Sequence, residues 1–76
     1  MSRLPIISGK SAVKAFEKIG YRITKTRGSH FCLHHIDPRR NPLTIPNHKT
    51  LGRGLLRKLI RDAEIAVEEF TELLKK

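Results

Sequence analysis

One histidine stands where the local sequence favours proton chemistry. His30 follows the flexible pair Gly28-Ser29 and begins an alternating stretch of apolar and polar residues. We therefore expect a strand to hold its ring beside an open loop. Imidazole can accept and donate a proton near neutral pH, which is what general acid–base catalysis requires. On the residues alone, the plainer interpretation of an exposed strand histidine without a chemical role stays open.

Cations precede this histidine in the chain. Arg22, Lys25 and Arg27 could offset the negative charge that builds on phosphate oxygens during a displacement. RNA carries its own nucleophile, the 2′-hydroxyl next to each phosphate. A histidine base among such cations could therefore drive attack on the neighbouring phosphorus without a metal ion.

A metal site is the alternative for the same stretch. His30, Cys32 and His34 alternate along one strand, and His35 follows. Structural zinc sites usually need four protein ligands, whereas ligands on a single strand diverge. The chain has neither a C-x-x-C nor an H-E-x-x-H pattern. We therefore expect no metal and no other cofactor, treat Cys32 as a small strand residue, and expect His34 and His35 on the surface.

A second basic group precedes the later helix. His48 and Lys49 come just before it, and Arg53 lies between Gly52 and Gly54. Helix starts carry free N–H groups and partial positive charge, so this one could bind a phosphate that approaches the glycine backbone. The alternative is a loosely wound first turn beside an ordinary loop. Farther along this helix the basic side continues with Arg57, Lys58 and Arg61.

The spacing of apolar residues predicts three helices. Ser8 can cap a first helix over residues 9–19, which Gly20 would end. Thr50 could cap a second long helix, and apolar residues over 67–74 indicate a short final one.

Between the first two helices the period changes to two, which predicts strands. The first begins at Tyr21, the second at His30, and the third covers residues 43–45 and is closed by Pro46. The fold expected is α+β in the order αβββα, with two helices on one face of a three-stranded antiparallel sheet, plus a short C-terminal helix.

The two faces of this sheet should differ. The expected buried layer is Phe16, Ile23, Phe31, Leu33, Leu43, Ile45, Leu56 and Leu59. Alternation then predicts a polar, basic and histidine-rich opposite face that holds Arg22, Thr24, His30, Cys32, His34 and Thr44.

Length and charge restrict the class of protein. The 76 residues are expected to form a single domain over 1–76. Sixteen Lys and Arg against seven Asp and Glu give a formal net charge of +9, and thirteen of these cations but only three of the acids lie in residues 10–62. Such concentrated charge favours nucleic acid as the partner. No helix has the apolar and Lys/Arg-rich faces of a membrane-surface helix.

The compartment expected is the cytoplasm. Cys32 alone cannot form an internal disulfide, and the first eight residues lack the apolar run of a signal peptide. Phosphate-binding P-loops, serine-triad elbows and paired carboxylates are also missing from the sequence.

Several short motifs together resemble the HicA family of messenger-RNA-cutting toxins, and the resemblance covers residues 8–74. In chain order the motifs are Ser8-Gly9-Lys10, Gly20-Tyr21, Arg27-Gly28-Ser29-His30, Ile45-Pro46-Asn47-His48, Gly54-Leu55-Leu56-Arg57-Lys58-Leu59-Ile60-Arg61 and Ile65-Ala66-Val67-Glu68-Glu69-Phe70.

The resemblance implies a fold like a double-stranded-RNA-binding domain. It also implies a metal-independent endoribonuclease, an mRNA interferase, whose essential histidine is His30. The partners implied are RNA and a HicB-like antitoxin that covers the site, and we expect no binding of DNA by this chain alone. The residues expected to contact RNA are Lys10, Arg22, Lys25, Arg27, Ser29, His48, Lys49, Arg53 and Arg57.

The chain departs from the family pattern at three positions. Leu55 stands where a threonine is common, Glu64 where a glycine is frequent, and Ala66 where a serine or threonine usually caps the last helix. An absent cap costs about 1 kcal/mol, so the final helix is expected to fray.

Two other functions remain open from the sequence. A non-catalytic module of the same fold would bind duplex RNA by its shape and leave it intact. A protein-interaction domain would use its charge on an acidic partner and would show no steep salt dependence towards RNA.

Overall fold

The computed structural model describes residues 4–75, so residues 1–3 of the leading segment and residue 76 lie outside it. The described chain forms α1 (Gly9–Glu17), β1 (Tyr21–Arg27), β2 (His30–His35), β3 (Leu43–Pro46), α2 (Arg53–Asp62) and α3 (Val67–Lys75). This is the α+β, double-stranded-RNA-binding-domain-like order that the sequence predicts. Of the helices within residues 4–75, none is long and apolar enough to cross a membrane.

The strands form one antiparallel sheet in the order β1-β2-β3. Helices α1 and α2 pack against the sheet, whereas α3 packs against α1 and α2. Phe16 of α1 lies at the centre of this arrangement, with its ring 5.0 Å from that of Phe70 and 5.9 Å from that of Tyr21. The face of the sheet opposite the helices is left uncovered by these elements, and we call it the open face.

Helix α1 begins as predicted and ends earlier. The Ser8 hydroxyl accepts a hydrogen bond from the Ser11 N–H at 3.1 Å, which confirms the cap. The helix stops at Glu17, two residues before the predicted end at about Ile19, and the chain turns through Gly20, whose φ is +105°. Glycine is suited to this conformation, since a Cβ would be strained there.

The N-cap of helix α2 lies two residues after the predicted one. Thr50 lies in a bend, and Gly52 takes the N-cap position without a side-chain hydrogen bond. The reason is Leu51, which is buried and donates its N–H to the Ile7 carbonyl at 2.7 Å. The loop is therefore anchored in the core before the helix can start.

A β-bulge in β1 changes the predicted faces of the sheet. Ile23 lies opposite Leu33, and Lys25 lies opposite Cys32, so Thr24 is the extra residue. Strict alternation from Tyr21 would place Lys25 on the helix side. The bulge turns it to the open face instead.

Two predictions of burial in this region are wrong. Ile23 is 42% exposed, and Phe31 is only half-buried. Both line a shallow groove with Val13 of α1. Strand β1 is an edge strand, and α1 covers this part of it incompletely, so the two side chains stay in contact with solvent. The other predicted core residues are buried.

Candidate functional site

The open face carries a shallow trough of about 530 Å³, which is the candidate site. Its lining is polar and basic: Thr24, Lys25, Arg27, His30, Cys32, His34 and Thr44. Five of the six residues predicted for this face line it, and Lys25 and Arg27 join them. The bulge at Thr24 is what brings these two cations to the same face as the histidines.

His30 lies at the start of β2, where a tight hairpin leaves its ring accessible. Arg27 and His30 are paired across the strands, so the connecting loop is Gly28-Ser29 alone. Gly28 has a φ of +52°, and a glycine in this first position is typical of a type II′ hairpin turn. On its other side His30 is paired with Pro46 of β3. The side chain is exposed, as an exchange of protons with a substrate requires.

Two cations of the trough lie near the histidines. Arg27 faces His30 across the hairpin, and Lys25 faces Cys32 one pair farther along the open face. Both side chains are exposed, and no carboxylate within residues 4–75 forms an ion pair with either. Their charge is therefore available to an anionic group bound above the sheet.

Arg22, also predicted for this face, is held elsewhere. Its Nη1 donates to the main-chain carbonyls of Tyr21, at 2.7 Å, and Glu17, at 3.1 Å. The guanidinium is thus directed to the end of α1, and Arg22 does not line the trough.

The loop after β3 is tied to the hairpin that carries His30. The Asn47 N–H donates to the Ser29 carbonyl at 2.6 Å, and the Gly9 N–H donates to the His48 carbonyl at 2.9 Å. The exposed residues Lys10, His48 and Lys49 therefore share one end of the molecule with the hairpin. Gly9 permits this close approach, because a Cβ there would collide with the carbonyl oxygen of Pro46.

The start of α2 is open but lies outside the trough lining. Its N-cap Gly52 supplies no side-chain hydrogen bond, and nothing lies within 4 Å of a Cβ built on Gly52 or Gly54. Arg53 donates from Nε to the Leu4 carbonyl at 3.1 Å, which directs it towards the N-terminal segment. Arg57 is exposed one turn farther on.

His34 and His35 have different environments although they are neighbours. The exposed His34 lines the trough, and its Nδ1 lies 2.6 Å from the Thr24 hydroxyl. The prediction that His35 is a surface residue is wrong. It is half-buried, with its ring 4.9 Å from that of Tyr21. Alternation carried the signal for this, because His35 follows Phe31 and Leu33 on the helix side.

The hydrogen bonds of His35 define its tautomer and its role. Nδ1 accepts from the Asp37 N–H at 2.9 Å, so Nε2 carries the proton and donates to the Ile19 carbonyl at 2.7 Å. His35 thus joins the end of β2 to the turn after α1, and its role is structural. In the trough, Cys32 is half-buried and carries a free thiol. Within residues 4–75, no three His, Cys, Asp or Glu side chains are grouped as a metal site would need.

Comparison with known proteins adds one finding. A family model described as the HicA toxin of bacterial toxin–antitoxin systems matches residues 9–65. The match includes every residue that lines the trough. No curated protein matches the chain significantly.

Proposed function

The chain belongs to the HicA family of toxins of bacterial toxin–antitoxin systems, and we propose that it cuts messenger RNA as a metal-independent endoribonuclease. The observation that carries this proposal is the exposed ring of His30 in a trough that also holds Lys25 and Arg27. We further propose that residues 1–76 act as one domain in the cytoplasm.

In the proposed reaction, His30 removes the proton of a ribose 2′-hydroxyl. The 2′-oxygen then bonds to the adjacent phosphorus, and the bond from phosphorus to the 5′-oxygen breaks. The products are a 2′,3′-cyclic phosphate and a 5′-hydroxyl, whose proton comes from water, and His30 returns its proton to the hydroxide that remains. Lys25 and Arg27 would offset the charge on the non-bridging phosphate oxygens, because fixed cations stabilise charge that develops in the transition state.

The remaining basic residues would hold the RNA rather than react with it. Lys10, His48 and Lys49 lie at the end of the molecule where the hairpin emerges. The open start of α2 offers free N–H groups to a phosphate. DNA lacks the 2′-hydroxyl and would therefore not be cut. A HicB-like antitoxin would neutralise the toxin by covering the trough.

The test compares His30→Ala with the unaltered protein on single-stranded RNA, in low salt with a chelator present. We expect cleavage to be lost in the variant, since His30 supplies the base in the proposed reaction. A folding control is the circular dichroism spectrum, which should not change because the ring is exposed.

A substrate control makes the mechanism specific. RNA with a 2′-O-methyl group at the cut position should stay intact, and the product of normal RNA should end in a cyclic phosphate. Cleavage by His30→Ala at the normal rate would remove His30 from the mechanism. Cleavage of the methylated position would reject attack by the 2′-hydroxyl.

The fold also supports a second candidate, a non-catalytic module that binds duplex RNA. Its α+β architecture and the open start of α2 suit the contacts by which such modules bind phosphates and 2′-hydroxyls. If this candidate is correct, duplex RNA binds more tightly than single strands and is recovered uncut.

A further inference from the structure

The trough contains a second histidine that the proposed chemistry does not use. His34 lies on the same face of β2 as His30, four residues along the strand. At the usual rise of a strand, this separation is about 13 Å between the Cα atoms. Two parallel side chains that far apart cannot both contact one phosphate group. A substrate that meets His30 at the cut position therefore meets His34 at a different nucleotide.

Thr24 fixes the orientation of the His34 ring. The threonine hydroxyl lies 2.6 Å from Nδ1 of His34 and 3.4 Å from the Cys32 carbonyl. Whichever of the two atoms carries the shared proton, this short contact occupies Nδ1 and fixes the orientation of the ring. Nε2 is left on the free side of the imidazole.

The free side of this ring is open to the trough rather than to the protein. No other hydrogen bond of the His34 side chain is formed within residues 4–75, and the ring borders the trough. Nε2 is therefore free to form a hydrogen bond with a ligand. The bulge is what makes this possible, because Thr24 is the extra residue of β1 and leans towards β2 on the open face.

We propose that His34, held by Thr24, forms a subsite for a nucleotide that neighbours the cut position in single-stranded RNA. Nε2 hydrogen-bonds to a polar atom of that nucleotide, on its base or on its phosphate, and the imidazole face can also stack on a base. This subsite rests on the proposed function for its substrate. It assigns His34 to binding, not to proton transfer at the cut phosphate.

The experiment measures binding separately from cleavage. Fluorescence anisotropy follows the full chain with short RNA made uncleavable by one 2′-deoxy nucleotide at the cut position. The RNA is then shortened one nucleotide at a time from each end. For the unaltered protein, we expect affinity to fall about tenfold when the nucleotide at His34 is removed, as for one stacked or hydrogen-bonded base.

The decisive comparison is with His34→Ala. This variant should bind the full RNA about tenfold more weakly, and removal of that nucleotide should then cost nothing more. Thr24→Val should also weaken binding of the full RNA, but by less than His34→Ala does. Thr24→Ser keeps the hydroxyl and should bind as tightly as the unaltered protein. Thr26→Val is the matched control, because Thr26 is an exposed residue of the same strand that does not border the trough.

An abasic nucleotide at the same position identifies which part of the nucleotide His34 contacts. If affinity falls as it does on removal, His34 contacts the base, and if affinity holds, it contacts the phosphate. Both results support the subsite. If shortening the RNA lowers the affinity of His34→Ala and of the unaltered protein equally, the subsite is rejected, even if His30→Ala abolishes cleavage. Conversely, loss of the shortening effect in His34→Ala supports the subsite even if the chain cuts no RNA, which rejects only the proposed catalysis.

Discussion

Two histidines of β2 show how position, rather than residue type, decides a side chain's role. His30 lies on the open face and is exposed, whereas His35 lies on the helix side and is fixed by two hydrogen bonds. In a strand, successive residues point to opposite faces. The residue type alone therefore predicts a possible proton carrier, and the parity along the strand predicts which histidine can meet a substrate.

Tyr21 gives a prediction at the same scale. Its ring is buried against Phe16, and its hydroxyl donates to the Asn41 carbonyl at 2.9 Å. Burial raises the pKa of the Tyr21 phenol above its ordinary value, because the phenolate loses its hydration. An unfolded chain ionises its tyrosine near pH 10, while the folded chain keeps the proton. The contribution of the protonated Tyr21 to the stability of the fold is thus complete below about pH 10. It is lost as pH rises through the raised pKa of Tyr21.

The measurement is urea unfolding, followed by circular dichroism, from pH 8 to pH 11. At pH 8 we expect Tyr21→Phe to be less stable by about 1 kcal/mol, since one hydrogen bond is lost. Above pH 10 the unaltered protein should lose stability more steeply, so the difference narrows. Lysine titration is common to both proteins and cancels. Parallel curves over the whole range would contradict the assignment.

At the scale of elements, the junction of α2 and α3 carries two of the departures from the family pattern. Glu64 has a φ of +61°, the left-handed conformation that suits glycine. Its N–H donates to the Arg61 carbonyl, and the Ile65 N–H donates to the Ile60 carbonyl. These two bonds form a Schellman motif at the end of α2. The chain therefore keeps the turn and bears the strain of a side chain in it.

The start of α3 is capped from one side only. The Ala66 N–H lies 3.5 Å from Oε1 of Glu69, which is half of a capping box, and alanine cannot supply the other half. We expect Ala66→Thr to raise the free energy of unfolding by about 1 kcal/mol, which is about 4–8 °C in Tm for a chain of this size. Thermal unfolding measures it.

Ala66→Val is the isosteric control for this substitution. Valine has the shape of threonine without the hydroxyl, so it should bring no comparable gain. Ala66 is exposed, and neither side chain needs space in the core. An equal gain from valine would mean that the missing cap is not what limits α3.

The sequence predicts the elements of this fold well, and its errors have a common cause. Local patterns located all six helices and strands, and they placed most of the open face correctly. The bulge at Thr24 and the shifted start of α2 at Gly52 were missed. Both depend on long-range packing, since Leu51 must reach the core and β1 must pair with β2. Alternation and capping preferences describe only near neighbours.

The trough was predicted in the same partial way. Alternation identifies His30 and His34 as sharing a face, but it would send Lys25 and Arg27 to the other side. Only the pairing register shows that the bulge turns the side chains of Lys25 and Arg27 to the open face. Conversely, the sequence offers Arg22 as a cation for this face, and main-chain carbonyls bind it instead. Such side-chain positions follow from the completed packing and not from spacing.

At the scale of the whole molecule, the basic and acidic residues are unevenly distributed. The open face presents Lys25 and Arg27, and the end near the hairpin presents Lys49. On the other side of the helical layer, α3 carries Glu68 and Glu69 in its first turn. Such a molecule should keep a polyanion away from the start of α3 and orient it towards the basic surfaces before contact.

This polarity predicts which lysines release counterions when RNA binds. Lys49 lies beside the hairpin end, whereas Lys75 lies on α3 and pairs with Glu72 at 3.7 Å. In a His30→Ala background, binding of single-stranded RNA should weaken linearly on a plot of log affinity against log salt. Lys49→Ala should reduce the steepness of that line by about 0.7, the value for one phosphate contact on a single strand.

Lys75→Ala is the matched control, because it removes the same charge from the chain while leaving the sheet side unchanged. Its line should keep the original slope. If both variants flatten the line equally, net charge and not its distribution governs RNA binding. If the RNA affinity of the His30→Ala background protein does not depend on salt at all, the basic face serves an acidic protein partner. Only counterion release from a polyanion produces a steep dependence of affinity on salt.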